Sequence, residues 1–275
     1  MLSETDCEAA AEIFDCHWRD GRQIDHLPEP LRPRTRSEGY RIQDALARAA
    51  GDPVHAWKIA ATSAAGQAHI NVDGPLAGRI FRNRVLAPGA TIALSGNNMR
   101  VAELEFAFRL GRDLPPRDGG YDMASVRDAV SALHPAIEIP ASRYADFTLV
   151  GAPALIADNS CAHLFVFGEA FDPSDWTDRD LAGWQVNAEV AGKGVTEGIG
   201  RNVLGDPWTA LHWLVNECSE HGLPLAEGQL VSTGTCLIPV PVTEGDRLVA
   251  DFGAGAPITL DFSEKAASRA AQLPR

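Results

Sequence analysis

The stretch RVAELEFAFRL, residues 100–110, places two acids one residue apart inside a mostly apolar run. Side chains of a β-strand alternate faces, so the run reads as a strand. Ala102, Leu104, Phe106, Phe108 and Leu110 share one face, and Glu103 and Glu105 share the other. Two carboxylates that close raise each other's pKa and are costly to bury unless something positive stands between them. A metal ion, a basic side chain or open water can serve. HPAIEIP (134–140) repeats the pattern, with Ile137 and Ile139 facing a core and Glu138 pointing the opposite way. Three carboxylates with no His or Cys among them form an oxygen-donor set that suits Mg²⁺ or Mn²⁺ better than zinc. The alternative is a solvated sheet face with Glu138 unrelated, because an ExE pair is not a specific signal.

Upstream, AWKIAATS (56–63) puts Trp57 and Ile59 toward a core and the Lys58 ammonium toward the opposite side. A lysine on the polar face of a central strand carries a depressed pKa or binds a substrate carboxylate; on an edge strand it merely blunts the edge. Downstream, ADNSCAH (157–163) gathers Asp158, Asn159, Ser160, Cys161 and His163 in a polar loop. His134, beside Pro135, reads as structural because the acid set already suffices. There is no GxSxG elbow, no Walker loop and no GxGxxG following a strand.

The rest of the chain supplies a frame for these residues. Residues 3–20 and 35–51 read as helices joined by the proline-rich connector LPEPLRPRT, the first opened by Ser3 or Thr5 and the second stopped at Gly51. From about residue 54, short apolar runs punctuated by Gly, Pro, Asn and Asp predict a β-rich body. Two helices are inserted in it, over 123–133 and 206–222, the latter with Asp206 as N-cap, Pro207 in the first turn and Gly222 as the stop. The expected organisation is therefore an N-terminal helical segment over 1–52 and a single β-rich body over 53–275.

Composition narrows the function. The 275 residues are 45% hydrophobic and 22% charged, with 24 basic against 37 acidic side chains and a formal charge of −13. No basic stripe is present, which argues against nucleic acid or an anionic membrane as partner. The N-terminus lacks a basic segment followed by an apolar core, and no apolar run is long enough to span a bilayer, so a soluble, cytoplasmic protein is expected. The five cysteines (Cys7, Cys16, Cys161, Cys218 and Cys236) are scattered without CxxC spacing and read as reduced thiols.

Taken in order, AWKIAATS, RVAELEFAFRLGRDL, PAIEIPASRYADF, IADNS, NVLGDPWTALHWLVNE and LVSTGTCLIPVPVTEGDRLVADFG resemble one family over essentially the full length. It is the 2-keto-4-pentenoate hydratase and 4-oxalocrotonate decarboxylase family of the fumarylacetoacetate hydrolase superfamily. The resemblance implies an α+β fold, a mixed β-roll with N-terminal helices packed on it. It implies a divalent cation, Mg²⁺ or Mn²⁺, held by Glu103, Glu105 and Glu138, and Lys58 as the active-site lysine. It further implies that Ser160, Thr233 and Thr235 approach a small 2-oxo acid substrate, in a homo-oligomer that pairs with a hydratase or decarboxylase paralogue.

Two departures from the family pattern stand out. An ADNASSG-like loop is here ADNSCAH, with Cys161 and Ala162 in place of hydroxyls, and a GTLFADM-like stretch is here GRIFRNR, with the amide of Asn83 in place of an acid that assists proton transfer. The leading expectation is a hydro-lyase that adds water to a 2-oxo-4-enoate. The alternatives are a 2-oxo-3-enedioate decarboxylase, an acylpyruvate-type hydrolase and a non-catalytic partner of an active paralogue. Substrate discrimination is expected to lie in Asn83, Cys161 and Ala162.

Overall fold

The computed structural model describes residues 1–265; the last ten residues of the expected 53–275 body lie outside the described residues. The N-terminus folds as its caps dictate. Helix α1 (Glu4–Asp20) opens with a capping box in which Ser3 and Asp6 satisfy each other's backbone N–H, and it ends on Gly21 in the left-handed region. Helix α2 (Arg36–Ala50) is capped by Thr35. Helix α1 packs on α2 and α2 on α5 (Gly151–Ala157), burying Phe14, Leu27, Ile42 and Leu46 with Tyr144 and Ala157 in a cluster of their own. Fully burying a side chain such as Phe14 or Leu46 is worth about 1.5–3 kcal/mol. The contact between α2 and α5 is close enough that a Cβ on Gly39 would lie 2.5 Å from the Pro153 carbonyl oxygen.

The body is built on a mixed sheet comprising β1 (Val54–Ala60), β2 (Leu76–Phe81), β3 (Val85–Leu86), β5 (Val101–Leu110), β6 (Val130–Ile139), β7 (Leu164–Phe167) and β10 (Leu230–Thr235). Its strand order is β2-β1-β10-β5-β6-β7-β3, with β11 (Val240–Pro241) added to the start of β5. The β1–β10 pair is parallel, whereas β10–β5 and β5–β6 are antiparallel. A second sheet runs in the order β4 (Thr91–Ala93), β13 (Ile258–Ser263), β12 (Arg247–Asp251), β8 (Gln185–Val190) and β9 (Gly194–Ile199). Phe106 on β5 meets Trp184 and Phe252 with ring centroids 5.2 and 5.5 Å apart, which fills the core on the apolar face of the acid-bearing strand. The fold is the mixed β-roll with N-terminal helices that the family resemblance implies.

Among the described residues, four shorter helices complete the body: α3 (Ala64–His69), α4 (Met123–Arg127), α6 (Pro173–Trp176) and α7 (Pro207–Glu220). Helix α7 follows the expectation for 206–222, including the Asp206 side chain capping Trp208 N. The helix expected over 123–133 is cut short. Residues from Val130 onward pair with β5 instead, Ala132 opposite Arg109 and Leu133 opposite Phe108, so cross-strand burial overrides a helical pattern that α4 sustains for one turn. Lys58 does not blunt an edge: β1 lies inside the sheet, and β2 is the edge strand.

Candidate functional site

Strand register assembles the acids. Glu103 on β5 lies directly across from Glu138 on β6, and Glu105 follows two residues on, on the same face. The three carboxylates offer oxygens that all lie within 4.8 Å of one another. Glu105 and Glu138 are 0% exposed, which removes the solvated-face alternative. One oxygen of Glu105, Oε2, accepts from Ser232 Oγ at 2.5 Å and from Gly234 N at 2.9 Å, while Glu105 Oε1 and Glu138 Oε2 are buried with no hydrogen-bond partner. Gly234 is required here: its φ is +97°, and a Cβ would sit 2.4 Å from Thr62 Oγ1.

Lys58 reaches the same point from β1, on the same face of the sheet. Its Nζ lies 2.9 Å from Glu138 Oε1 and donates to the Ser160 carbonyl at 3.0 Å. Burial works against the ammonium, but Glu138 and Glu103 outweigh it and leave the Lys58 pKa above the ordinary lysine value. The uncompensated acids thus favour the charged ammonium. Burial raises all three carboxyls, Glu103 to about 7 and Glu138 well above its ordinary value. With all three ionised, the carboxylates exceed the single ammonium by two negative charges, and the raised pKa values reflect the cost of that excess. A divalent cation fits this set: the charge matches, the donors are hard oxygens, and two buried carboxylate oxygens stand without partners.

The ADNSC loop is held in an unusual conformation. Asn159, Ser160 and Cys161 have φ values of 54°, 52° and 61°, three consecutive non-glycine residues in the left-handed region. Surrounding contacts compensate. The Asn159 amide accepts from Arg79 N at 2.7 Å and donates to Arg79 O at 2.7 Å, and Ser160 Oγ donates to Ala77 O at 2.8 Å. Asp158 is fully buried, accepts from Ser142 Oγ at 2.6 Å and pairs with the Arg143 guanidinium. Gly78 admits the loop, since a Cβ there would lie 2.5 Å from the Asn159 carbonyl and 3.2 Å from the Lys58 side chain. The motif ASRYADF thus carries a positioning pair, Ser142 and Arg143, that inspection of the sequence did not single out. Nor did it single out Ser232, which holds Glu105.

Above the acids opens a cavity of about 1120 Å³. Lys58, Glu103, Ser160, Cys161 and Thr235 are among its polar lining, and Ile70, Leu76, Met99, Phe147, Leu155 and Leu204 among its apolar walls. The expected substrate-binding residues divide. Thr235 lines the cavity with its hydroxyl donating to Leu237 O at 2.8 Å, and Ser160 lines it with its hydroxyl turned to Ala77. Thr233 does not line it: the residue is 0% exposed and its hydroxyl donates to Phe106 O, on the side of β10 away from Glu105. Of the three residues that carry the departures, only Cys161 reaches the cavity, and burial pushes its thiol up to about 12, which keeps it neutral. Ala162 packs with Ile80, Val85 and Phe165 in a satellite apolar cluster. Asn83 lies exposed on the turn Arg82–Arg84, its backbone N–H donating to Asp52 Oδ2. The discrimination assigned to Asn83 and Ala162 therefore does not correspond to cavity contacts. His134 is structural as expected, bonded through Nδ1 to the Gly168 carbonyl and through Nε2 to Arg109.

The lysine-faced acid triad sits on a mixed β-roll, and comparison with known proteins gives the family. Residues 62–260 match the fumarylacetoacetate (FAA) hydrolase C-terminal family. The chain belongs to this family. It is 32% identical to 2-keto-4-pentenoate hydratase 1 of Dechloromonas aromatica over 243 residues, 87% of this chain and 90% of the relative. It is 35% identical to the TodF product hydratase of Pseudomonas putida over 231 residues, 82% and 83% of the two chains. Among solved structures, 4-oxalocrotonate decarboxylase from Pseudomonas putida G7, complexed with magnesium and adipate, superposes with a TM-score of 0.84 at 24% identity, covering 95% of this chain and 99% of that one. No helix among the described residues is long and apolar enough to cross a membrane.

Proposed function

We propose that the chain is a divalent-metal-dependent hydro-lyase that adds water to a small 2-oxo-4-enoate in its 2-hydroxydienoate form. The observation that carries this reading is the triad of Glu103, Glu105 and Glu138, the last two fully buried, facing Lys58 where Glu103 and Lys58 line the cavity. Its relatives named as hydratases support the choice of reaction. Glu103, Glu105 and Glu138 would hold a divalent cation, which would supply Lewis acidity favouring the enolic form of a 2-oxo acid.

The chain's own residues account for the rest. Ser232 and Gly234 hold Glu105 in place through one carboxylate oxygen and leave the other free. The Lys58 ammonium, fixed between Glu138 and the Ser160 carbonyl, is placed to donate to a substrate carboxylate or to hand a proton to the carbon skeleton. The Thr235 hydroxyl and the Lys58 ammonium line the polar end, and the apolar walls hold the alkene-bearing tail away from bulk water. Net addition puts the hydroxyl of water on C4 and a proton on C5, while the enol proton returns to C3.

The test is an assay with 2-hydroxypenta-2,4-dienoate in Mg²⁺ or Mn²⁺, following loss of dienol absorbance, run beside a 2-oxo-3-enedioate with carbon dioxide detection. Dienol loss that stops on chelation and falls at least ~10-fold in Glu105→Gln, with the circular dichroism spectrum unchanged, supports the reading. Carbon dioxide release outrunning hydration would make the protein a decarboxylase, and turnover with neither substrate would favour a non-catalytic partner.

A further inference from the structure

The face of β1 and β2 opposite the catalytic cavity carries a second concavity. In register, Lys58 lies across from Gly78 and Trp57 across from Arg79, so strand alternation sends Lys58 toward the cavity and Trp57 and Arg79 away from it. The second cleft has a volume of about 610 Å³ and is lined in part by Tyr40, Arg41, Arg48, Trp57, Arg79 and His221. None of these residues lines the catalytic cavity.

Arg79 is the unusual member. It is 4% exposed, its guanidinium carbon lies 5.0 Å from the centroid of the Trp57 ring, and its Nη2 donates to Asp44 Oδ1 at 3.0 Å. Its Nη1 is buried and has no hydrogen-bond partner. Buried guanidinium donors are ordinarily satisfied, because an orphaned one forfeits the hydrogen bonds it made in water. Asp44 cannot make up the deficit, since its other oxygen pairs with Arg48. Across the cleft, three guanidinium groups, Arg41, Arg48 and Arg79, face two carboxylates, Asp44 and Glu4, which leaves one positive charge in excess. The remaining wall, with Tyr40, Leu223 and Pro224, is aromatic and apolar.

We propose that this cleft binds a small organic monocarboxylate, whose carboxylate completes the hydrogen bonding of the Arg79 guanidinium and whose apolar body lies against Leu223 and Pro224. A single excess charge and a half-apolar wall suit a monoanion with a carbon skeleton better than inorganic phosphate, which carries more charge and no apolar surface. The site is separate from catalysis, yet Arg79 is bonded through its main chain to Asn159 of the loop that holds Lys58.

Benzoate titrated into the full chain, with binding followed by calorimetry in the presence and absence of Mg²⁺, tests the assignment. Saturable one-to-one binding indifferent to Mg²⁺, weakened at least ~10-fold in Arg79→Gln and not displaced by inorganic phosphate, is expected. Arg48 is half-exposed, so Arg48→Gln leaves the core intact and erases the charge excess; it should weaken binding about fivefold, which keeps the test decisive if Arg79→Gln fails to fold. Absence of saturable binding overturns the proposal, and so does binding that requires Mg²⁺ or survives in both variants, since either places benzoate in the catalytic cavity or elsewhere on the surface.

Discussion

Lys58 is the cation set against Glu103 and the two fully buried carboxylates Glu105 and Glu138, and that count makes its removal informative. Lys58→Met leaves Glu138 without its ion-pair partner in a fully buried place, and breaking one side of such a pair costs about 3–5 kcal/mol. The metal-free variant should melt well below the parent, and Mg²⁺ should restore more of the loss in the variant than in the parent, because a cation then replaces the missing charge. Turnover should stay low even with Mg²⁺ bound. Thermal denaturation with and without Mg²⁺ reads the first expectation, and steady-state kinetics the second. A variant as stable as the parent without metal would show that the acids are not ionised together. A contrast at the same scale concerns the departures from the family pattern. Asn83→Asp should leave turnover unchanged because Asn83 is exposed on an outer turn, whereas Cys161→Ser, at the cavity wall, should change KM. Steady-state kinetics on the two single variants separates them.

At the scale of elements, the loop between α5 and β7 holds the site in shape. The Asn159 side chain ties both backbone groups of Arg79, and Ser160 Oγ ties Ala77, so three left-handed residues persist because β2 anchors them. Each such residue stores of the order of 1–3 kcal/mol when it is not glycine. Asn159→Ala should therefore let the loop relax, lower the melting temperature and cut turnover while Mg²⁺ affinity stays close to that of the parent. Isothermal titration with Mg²⁺ beside an activity assay checks this, and equal losses in both would mean that the loop does not act separately from the acids. Alternation within one strand was enough to place Glu103 and Glu105 on one face, the β5–β6 register adds Glu138 to them, and capping residues located α1, α2 and α7. Hidden from a linear reading were the features set by pairing. Val130 to Leu133 carry a helical pattern that β5 converts to strand, and in β10 alternation sends Thr233 to the face opposite Ser232, while the irregularity between Ser232 and Thr235 brings Thr235 opposite Glu105. Asn83 matches a motif by position, yet the turn it occupies faces outward, which no spacing rule reveals.

Over the whole molecule, the groups of the site come from distant parts of the chain. Glu103 and Glu138 sit on β5 and β6, neighbours in sequence that pair antiparallel. Lys58 arrives on β1, which joins the sheet through a parallel pairing with β10 near the other end of the chain. Loop closure favours the nearer pairing, so β5 and β6 should meet first, and like charges are then brought together before their ammonium is in place. The order of assembly thus gives the cation a kinetic role as well as an equilibrium one. Refolding from denaturant should be faster in millimolar Mg²⁺ than in Na⁺ of matched ionic strength, since a divalent ion can stand in for Lys58 while β1 is still unpaired. Stopped-flow refolding compares the two rates, and equal rates would mean that the carboxylates come together only after β1 has docked.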